Sequence, residues 1–179
     1  MRAPSCFTGN AEGDWASSAP ARPRAADTPQ PPQMLTKDYP DNHDADLVLK
    51  LYELRREATM RESRAAINTK FWPRTADDAM ALTKSDHPLN AAWRQTGTYW
   101  EMVYGMAKHG VLHTEFMMES CGEGILLYAK VEPYLAQLRA FNPFLFQNAE
   151  WIVAHSERAA KLLELYRKRV ATALAAQPA

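Results

Sequence analysis

The stretch LNAAWRQTGTYWEMVYGMAKH, residues 89–109, is the most informative part of the sequence, because apolar side chains recur on most faces of a helix built from it. A helix that is apolar on most of its surface is normally buried among other helices. We therefore predict an all-α, single-domain bundle of five or six helices around this central helix, without a sheet. The residues that mark its two apolar stripes are Trp93, Trp100, Val103, Tyr104 and Ala107, and Ala92, Thr96, Tyr99, Met102 and Met106.

A narrow strip of polar or small residues interrupts this apolar surface. A glycine inside a helix costs about 1 kcal/mol relative to alanine, so a helix with two of them needs a reason for each. Close approach of another backbone is the reason that the sequence suggests. The strip consists of Asn90, Arg94, Gly97, Glu101 and Gly105.

The composition limits the classes of partner. The chain has 179 residues with 21 basic and 21 acidic side chains, so its formal charge is zero. A neutral surface lacks the long-range field that attracts nucleic acid or an anionic membrane. No apolar run approaches the roughly 18 to 20 residues of a membrane span. The two cysteines, Cys6 and Cys121, do not form a disulfide framework, so we expect a protein of a reducing compartment, the cytoplasm.

The first 41 residues differ from the rest. They contain seven of the twelve prolines and show neither helical nor strand periodicity. This composition is typical of disorder, so we predict a disordered leader over 1–41 and a helical domain over 44–174. The run PQPPQ would also suit a domain that binds proline-rich ligands. Met34 lies near the end of the leader and is a second candidate for the start of translation.

Before the central helix, one long helix is predicted. It should begin near Asp44 or Ala45, after the breaker series 40–43, and run until the pattern fails at 68–74. Interleaved acids and bases on its outer face are typical of a solvated surface. Its predicted inward stripe is Leu47, Leu51, Leu54 and Ala58.

Capping residues and prolines divide the remainder of the chain. Thr75 with Asp78 indicates a capped helix start, and Asn142 followed by Pro143 indicates another. The predicted helices are 76–84, 111–120, a helix from Gly124 that kinks near Pro133 and ends near Phe141, and a last long helix from Pro143 to about Leu174.

Glu101 is the sharpest candidate for a functional residue, because it falls within the most apolar helix, between Trp100 and Met102. Burial would raise the pKa of its carboxyl group, whereas a nearby arginine such as Arg94 or Arg139 would lower it. It could belong to a structural ion pair or to a pocket lined by the aromatic cluster. For the pocket, the candidate ligand-binding residues are Trp93, Arg94, Tyr99, Trp100, Glu101 and Tyr104.

Other reactive residue types give weaker patterns. His109 and His113 stand four residues apart, but Gly110 interrupts the helix that would place both on one metal ion. Cys121 precedes the sequence GEG, and no histidine is placed to activate it, which favours a small buried thiol at a helix end. The sequence therefore indicates no catalytic residue, no metal site and no cofactor.

Three stretches between Ala45 and about Arg139 together resemble an uncharacterised family of small helical bacterial proteins. They are LYELRREATMRESR at 51–64, TYWEM at 98–102 followed by HGVL at 109–112, and GILLYAKVEPYLAQLR at 124–139. The resemblance implies an ordered bacterial domain that starts near residue 44. It implies no activity for any residue.

These observations leave three functional interpretations. The first is a non-enzymatic interaction or scaffold protein, which could self-associate through apolar faces of its first or last helix. The second is a ligand-binding or enzymatic bundle with an aromatic-lined pocket around Glu101. The third and weakest is nucleic-acid binding through basic helix faces, with steep salt dependence as its signature. The residues concerned are Arg55, Arg56, Arg61 and Arg64, together with the basic C-terminal part of the chain.

Overall fold

The computed structural model describes residues 37–176, and these form helices joined by turns, with no strand in that range. The prediction of an all-α fold without a sheet is confirmed for this part of the chain. The helices are α1 (Asn42–Arg56), α2 (Ala58–Lys70), α3 (Ala76–Ala81), α4 (Asn90–Lys108), α5 (Thr114–Ser120), α6 (Glu123–Val131), a 3-10 turn (Glu132–Tyr134), α7 (Leu135–Phe141), α8 (Gln147–His155) and α9 (Glu157–Ala176). Most of the predicted leader lies outside the described residues.

Helix α4 occupies the centre, as its apolar pattern predicts. It packs mainly against α2 and α8, and its Trp100, Val103 and Tyr104 side chains are almost fully buried. Helix α6, which packs against α4, α8 and α9, is also buried on every side from Gly124 to Val131. Residues of both helices belong to one hydrophobic core. Gly110, which follows α4, has a φ of 68°, the left-handed conformation that suits a glycine after a helix end.

The start of α1 corrects the prediction by two residues. Asp41 is the N-cap: its carboxylate accepts from the Asp44 amide at 2.9 Å, and the Asp44 carboxylate accepts from the Asp41 amide at 2.8 Å. The predicted inward stripe is also wrong in part, because Leu54 and Ala58 are exposed. The reciprocal cap rotates Asp44 inward, so the buried residues of α1 are Asp44, Val48 and Leu51.

Asp44 joins the first helix to α5. Its carboxylate also accepts from the His113 amide at 2.8 Å and from the Lys37 ammonium at 3.0 Å. Burial works to raise the pKa of this carboxyl group, but the two amides and the Lys37 charge outweigh it and lower the pKa to about 2. Asp44 is therefore a structural carboxylate.

The predicted first helix is in fact two helices that meet at Glu57. Glu57 has a non-helical backbone conformation, with ψ of 143°, and its carboxylate accepts from the Met60 amide at 3.1 Å. Arg64 ties the corner together because its guanidinium donates to the Arg55 carbonyl at 3.1 Å and forms a bidentate ion pair with Glu123 on α6. Arg55 lies nine residues and Glu123 lies 59 residues from Arg64 along the chain, so the three- and four-residue periodicity of a helix did not reveal the break.

The predicted last helix is also divided, and it begins later than expected. Residues 143–146 form a turn, in which the Asn142 side chain accepts from the Phe144 amide at 3.2 Å. Helix α8 begins only at Gln147, and Phe144 is 74% exposed instead of facing inward. Ser156 separates α8 from α9 because its hydroxyl caps the Ala159 amide at 3.1 Å. The kink predicted near Pro133 is present as the 3-10 turn.

Lys130, on α6, is a buried lysine whose ammonium group lies at the C-terminal end of α2. Its side chain is 1% exposed, and its ammonium donates to the carbonyls of Ile67 at 3.0 Å and Asn68 at 3.3 Å. The ammonium also lies 3.8 Å from the centre of the Trp72 ring, a cation–π contact. Burial, aided by the charge of Arg169, lowers the pKa of Lys130 to about 7.

The free energy of unfolding of the wild type should rise with pH above about pH 7, and we expect this rise to be absent in Lys130→Met. The unfolded chain keeps the lysine proton up to its ordinary pKa, whereas the folded protein releases it near neutrality. Stability therefore increases with pH between these values, by at most about 1.4 kcal/mol per pH unit. Urea unfolding at about pH 6.5 and about pH 9.5 measures this difference. Lys50→Met, at an exposed position of α1, is the control. Identical pH dependence in wild type and Lys130→Met would contradict the account.

Candidate functional site

The carboxylate of Glu101 caps helix α8 from the side of α4. One oxygen accepts from the Asn148 amide at 3.0 Å, and the other accepts from the Ala149 amide at 2.8 Å. These are the second and third residues of α8, whose amides a capping side chain normally satisfies. The residue that precedes α8 is Phe146, which has no side-chain acceptor. Glu101 therefore supplies the cap that the local sequence lacks.

Asn148 fixes α8 against the backbone of α4. Its side-chain amide donates to the Glu101 carbonyl at 3.0 Å and accepts from Lys108 at 3.4 Å. A Cβ atom at Gly105 would lie only 2.9 Å from the Asn148 amide nitrogen. Gly105 therefore permits the close approach that the sequence predicted for a glycine in this helix, although the approaching group is a side chain and not a backbone.

The electrostatics of Glu101 reflect competing effects. Burial raises the pKa of its carboxyl group, while the two α8 amides and the charges of Lys108 and Arg139 lower it. Burial is the largest effect, so the net pKa lies above the ordinary value of a glutamate. The predicted alternative of a structural ion pair is absent in the described residues, where the carboxylate interacts with a helix N-terminus instead.

A cavity of about 340 Å³ lies between α4 and the turn that precedes α8. Gly97 forms part of its wall on α4, and a Cβ atom there would have no other heavy atom within 4 Å. A second cavity of about 250 Å³ shares Trp93, Arg94, Asn142 and Leu145 with it. The residues that line the first cavity are Trp93, Arg94, Gly97, Thr98, Glu101, Asn142, Phe144, Leu145 and Phe146.

Two neighbouring residues give the cavity an aromatic wall and a charge. The Trp93 ring is held by edge-on contacts with Phe71 at 5.8 Å and Phe146 at 5.5 Å between ring centres. Arg94 is exposed, and its guanidinium forms no hydrogen bond or ion pair with any residue in 37–176. Phe146 has a φ of 54°, a strained conformation for a bulky side chain. Such strain often accompanies a functional site.

The structure divides the six predicted site residues into two groups. Trp93, Arg94 and Glu101 line the cavity, whereas Tyr99, Trp100 and Tyr104 lie on other faces of α4 within the core. The Tyr99 hydroxyl donates to the Leu51 carbonyl at 2.6 Å, and the Tyr104 hydroxyl donates to the Cys121 carbonyl at 3.0 Å. Trp100 lies against both tyrosine rings.

The sequence analysis missed the other half of the cavity. Asn142, Phe144, Leu145 and Phe146 belong to the turn before α8, which we expected to be helix. The local signal is the pair Phe144 and Phe146, which would lie on opposite faces of the predicted helix that starts at Pro143. A helix could bury only one of the two, and the turn likewise buries Phe146 and leaves Phe144 exposed, so the pair alone does not distinguish a turn from a helix.

The histidine and cysteine candidates, His113 and Cys121, are a helix cap and a buried thiol. His113 is the N-cap of α5, and its Nδ1 accepts from the Phe116 amide at 3.1 Å. The Cys121 thiol is buried, which raises its pKa to about 11 and keeps it protonated at neutral pH. Within residues 37–176, no three side chains of histidine, cysteine, aspartate or glutamate converge in a way that could hold a metal ion.

Two of the four arginines considered for nucleic-acid binding are engaged within the protein. Arg64 pairs with Glu123, and Arg55 donates to the Ser120 carbonyl at 2.9 Å. Arg55 and Arg56 also lie over the ring of Tyr52. None of the described helices is both long enough and apolar enough to cross a membrane.

Comparison with known families identifies the domain. The chain belongs to the family described as a domain of unknown function, DUF4760, whose model matches residues 40–156. The match contains α1 to α8, and so all residues that line the cavity, and it ends at the Ser156 corner before α9. No curated protein and no solved structure matches the chain.

Replacing each glycine of α4 by alanine should change stability in opposite directions. Gly97→Ala places a methyl group in open space and improves helix propensity, so we expect a gain of about 0.5 to 1 kcal/mol. Gly105→Ala drives the methyl group into the Asn148 amide and should destabilise the protein by about 1 to 3 kcal/mol despite the same gain in propensity. Urea unfolding of the two variants measures both effects. Equal changes in the two variants would show that at least one of the glycines lacks the role assigned to it.

Proposed function

We propose that this member of the family is a non-enzymatic binding protein, and that the cavity between α4 and the turn at 143–146 takes a small organic molecule that is apolar over most of its surface. The observation that carries the proposal is the cavity itself, which brings Trp93, Arg94 and Glu101 together with Phe144 and Phe146. Its volume of about 340 Å³ lies within the range of ligand sites, roughly 300 to 1,000 Å³. Mostly apolar walls with a few polar groups are also characteristic of such sites.

The geometry of the reactive residues favours binding over catalysis. Each oxygen of Glu101 already accepts an amide hydrogen, so its lone pairs are partly used in the cap. The Cys121 thiol is buried and protonated, and the Lys130 ammonium is enclosed among carbonyls and aromatic rings. A catalytic acid, base or nucleophile must reach its substrate at hydrogen-bonding distance, which these surroundings oppose.

A second candidate is the interaction or scaffold role. Exposed leucines support it: Leu49 and Leu54 on α1 and Leu165 on α9 are each at least half exposed. Leu49 and Leu54 stand about 140° apart around α1, however, so they do not form one patch, and single exposed leucines are common. If the protein self-associates through these helices, its apparent mass in sedimentation equilibrium should rise with concentration. For either role we propose the bacterial cytoplasm, because a free Cys121 thiol suits a reducing compartment.

Thermal unfolding with a panel of small apolar compounds tests the ligand-binding proposal. Gly97→Leu is the blocked variant, because its side chain would extend into the open space beside Gly97 without meeting a neighbour at Cβ. We expect at least one compound to raise the midpoint of the wild type but not that of Gly97→Leu. At about 100 times its dissociation constant, such a ligand stabilises the fold by about 2.7 kcal/mol. Compounds that shift both proteins equally would bind elsewhere and would refute the proposal.

A further inference from the structure

Packing does not explain why residue 97, in the wall of the cavity, is a glycine. Glycine costs about 1 kcal/mol in this helix, and unlike Gly105 it is not needed to admit a neighbouring group, since nothing lies within 4 Å of its Cβ position. What glycine provides there is bare backbone facing the cavity. A bare stretch of helix backbone suits a flat molecule that lies close against it, because any side chain would hold the molecule away.

Trp93 extends this flat surface. It precedes Gly97 by one helical turn on the same face, and its ring is fixed by the edge-on contacts with Phe71 and Phe146. A rigid ring offers an aromatic ligand a stacking or edge contact without loss of side-chain freedom. The cavity volume corresponds to about ten non-hydrogen atoms at the roughly 30 Å³ that a water molecule takes. One or two fused rings are of that size.

Arg94 and Glu101 give the cavity a cationic end and an anionic end. Arg94 is a cation without a partner in residues 37–176, whereas the charge of Glu101 already faces the N-terminus of α8. The two residues are seven positions apart, about 10 Å along α4. An anionic group of a ligand is therefore attracted to the Arg94 end and repelled from the Glu101 end. A carboxylate matches the planar fork of a guanidinium with two parallel hydrogen bonds.

Resting on the proposed function, we propose that the ligand is a flat aromatic carboxylic acid. Its ring lies on the bare backbone at Gly97 and against Trp93, and its carboxylate pairs with Arg94. The exposed Phe144 side chain, on the opposite side of the cavity, covers the outer face of the ring. Gly97 then selects a flat ligand, and Arg94 selects a negatively charged one.

Three probes separate the parts of this proposal. The first is 2-naphthoate, the second its neutral analogue 2-naphthamide, and the third octanoate, an acid of similar size without a ring. Calorimetric titration of wild type, Gly97→Leu, Arg94→Gln and Arg61→Gln measures each affinity. Arg61 is exposed on α2 and does not line the cavity, so Arg61→Gln is the matched control for loss of an arginine charge. Unfolding midpoints of the four proteins establish that each variant is folded.

We expect 2-naphthoate to bind the wild type and Arg61→Gln equally, and to bind Arg94→Gln and Gly97→Leu at least about tenfold more weakly. The neutral amide should lose a similar factor on the wild type, because it lacks the charge that Arg94 recognises. If the acid and the amide bind equally and Gly97→Leu blocks both, the proposal that the ligand is an acid is contradicted, while the cavity remains a binding site. Tighter binding of octanoate than of 2-naphthoate would contradict the proposal that the ligand has a flat ring. If Gly97→Leu blocks none of the probes or the panel compounds, the proposed function itself fails.

Discussion

The structure depends on one interaction between helices, in which the Glu101 carboxylate accepts hydrogen bonds from the amides of the second and third residues of α8. Four amides at the start of every helix lack partners within it, and in most helices a side chain just before the first turn satisfies some of them. Here the carboxylate comes from the centre of α4, 47 and 48 residues earlier in the chain. The charge also faces the positive end of the α8 dipole, which offsets part of the cost of burial.

Several local features follow from this long-range cap. Asn148 must approach the α4 backbone closely, which requires the absence of a side chain at Gly105. The chain must then reach α8 through a turn, and Phe146 adopts a left-handed conformation to complete it. Because that turn stands away from α4 near Gly97, a cavity remains between the two segments. The same geometry that fixes α8 thus creates the candidate binding site.

The sequence predicted those features that depend on neighbours along the chain. The apolar periodicity of 89–109 identified the central helix to within one residue at each end, and Thr75 with Asp78 identified the cap of α3. The breaks at Glu57 and before Gln147 were missed because the contacts that stabilise them, from Arg64 to Glu123 and from Glu101 to α8, join residues far apart in the chain.

The candidate site was predictable only on one of its two sides. Periodicity placed Trp93, Arg94 and Glu101 on or beside the polar strip of α4, and all three line the cavity. It could not separate them from Tyr99, Trp100 and Tyr104, because a helix buried on most faces gives little information about which face meets a cavity. The other side of the site lies in a turn whose shape depends on the remote cap.

The amide resonances of Asn148 and Ala149, followed by NMR as a function of pH, test this account most directly. If Glu101 caps α8, both amides should shift together as its carboxyl group ionises, with the pKa raised from the ordinary value of a glutamate by burial. In Glu101→Gln the pH response should vanish and at least one amide should exchange faster with solvent, while Glu119→Gln, at an exposed site of α5, should leave both unchanged. Amides that ignore pH in the wild type and stay protected in Glu101→Gln would contradict it.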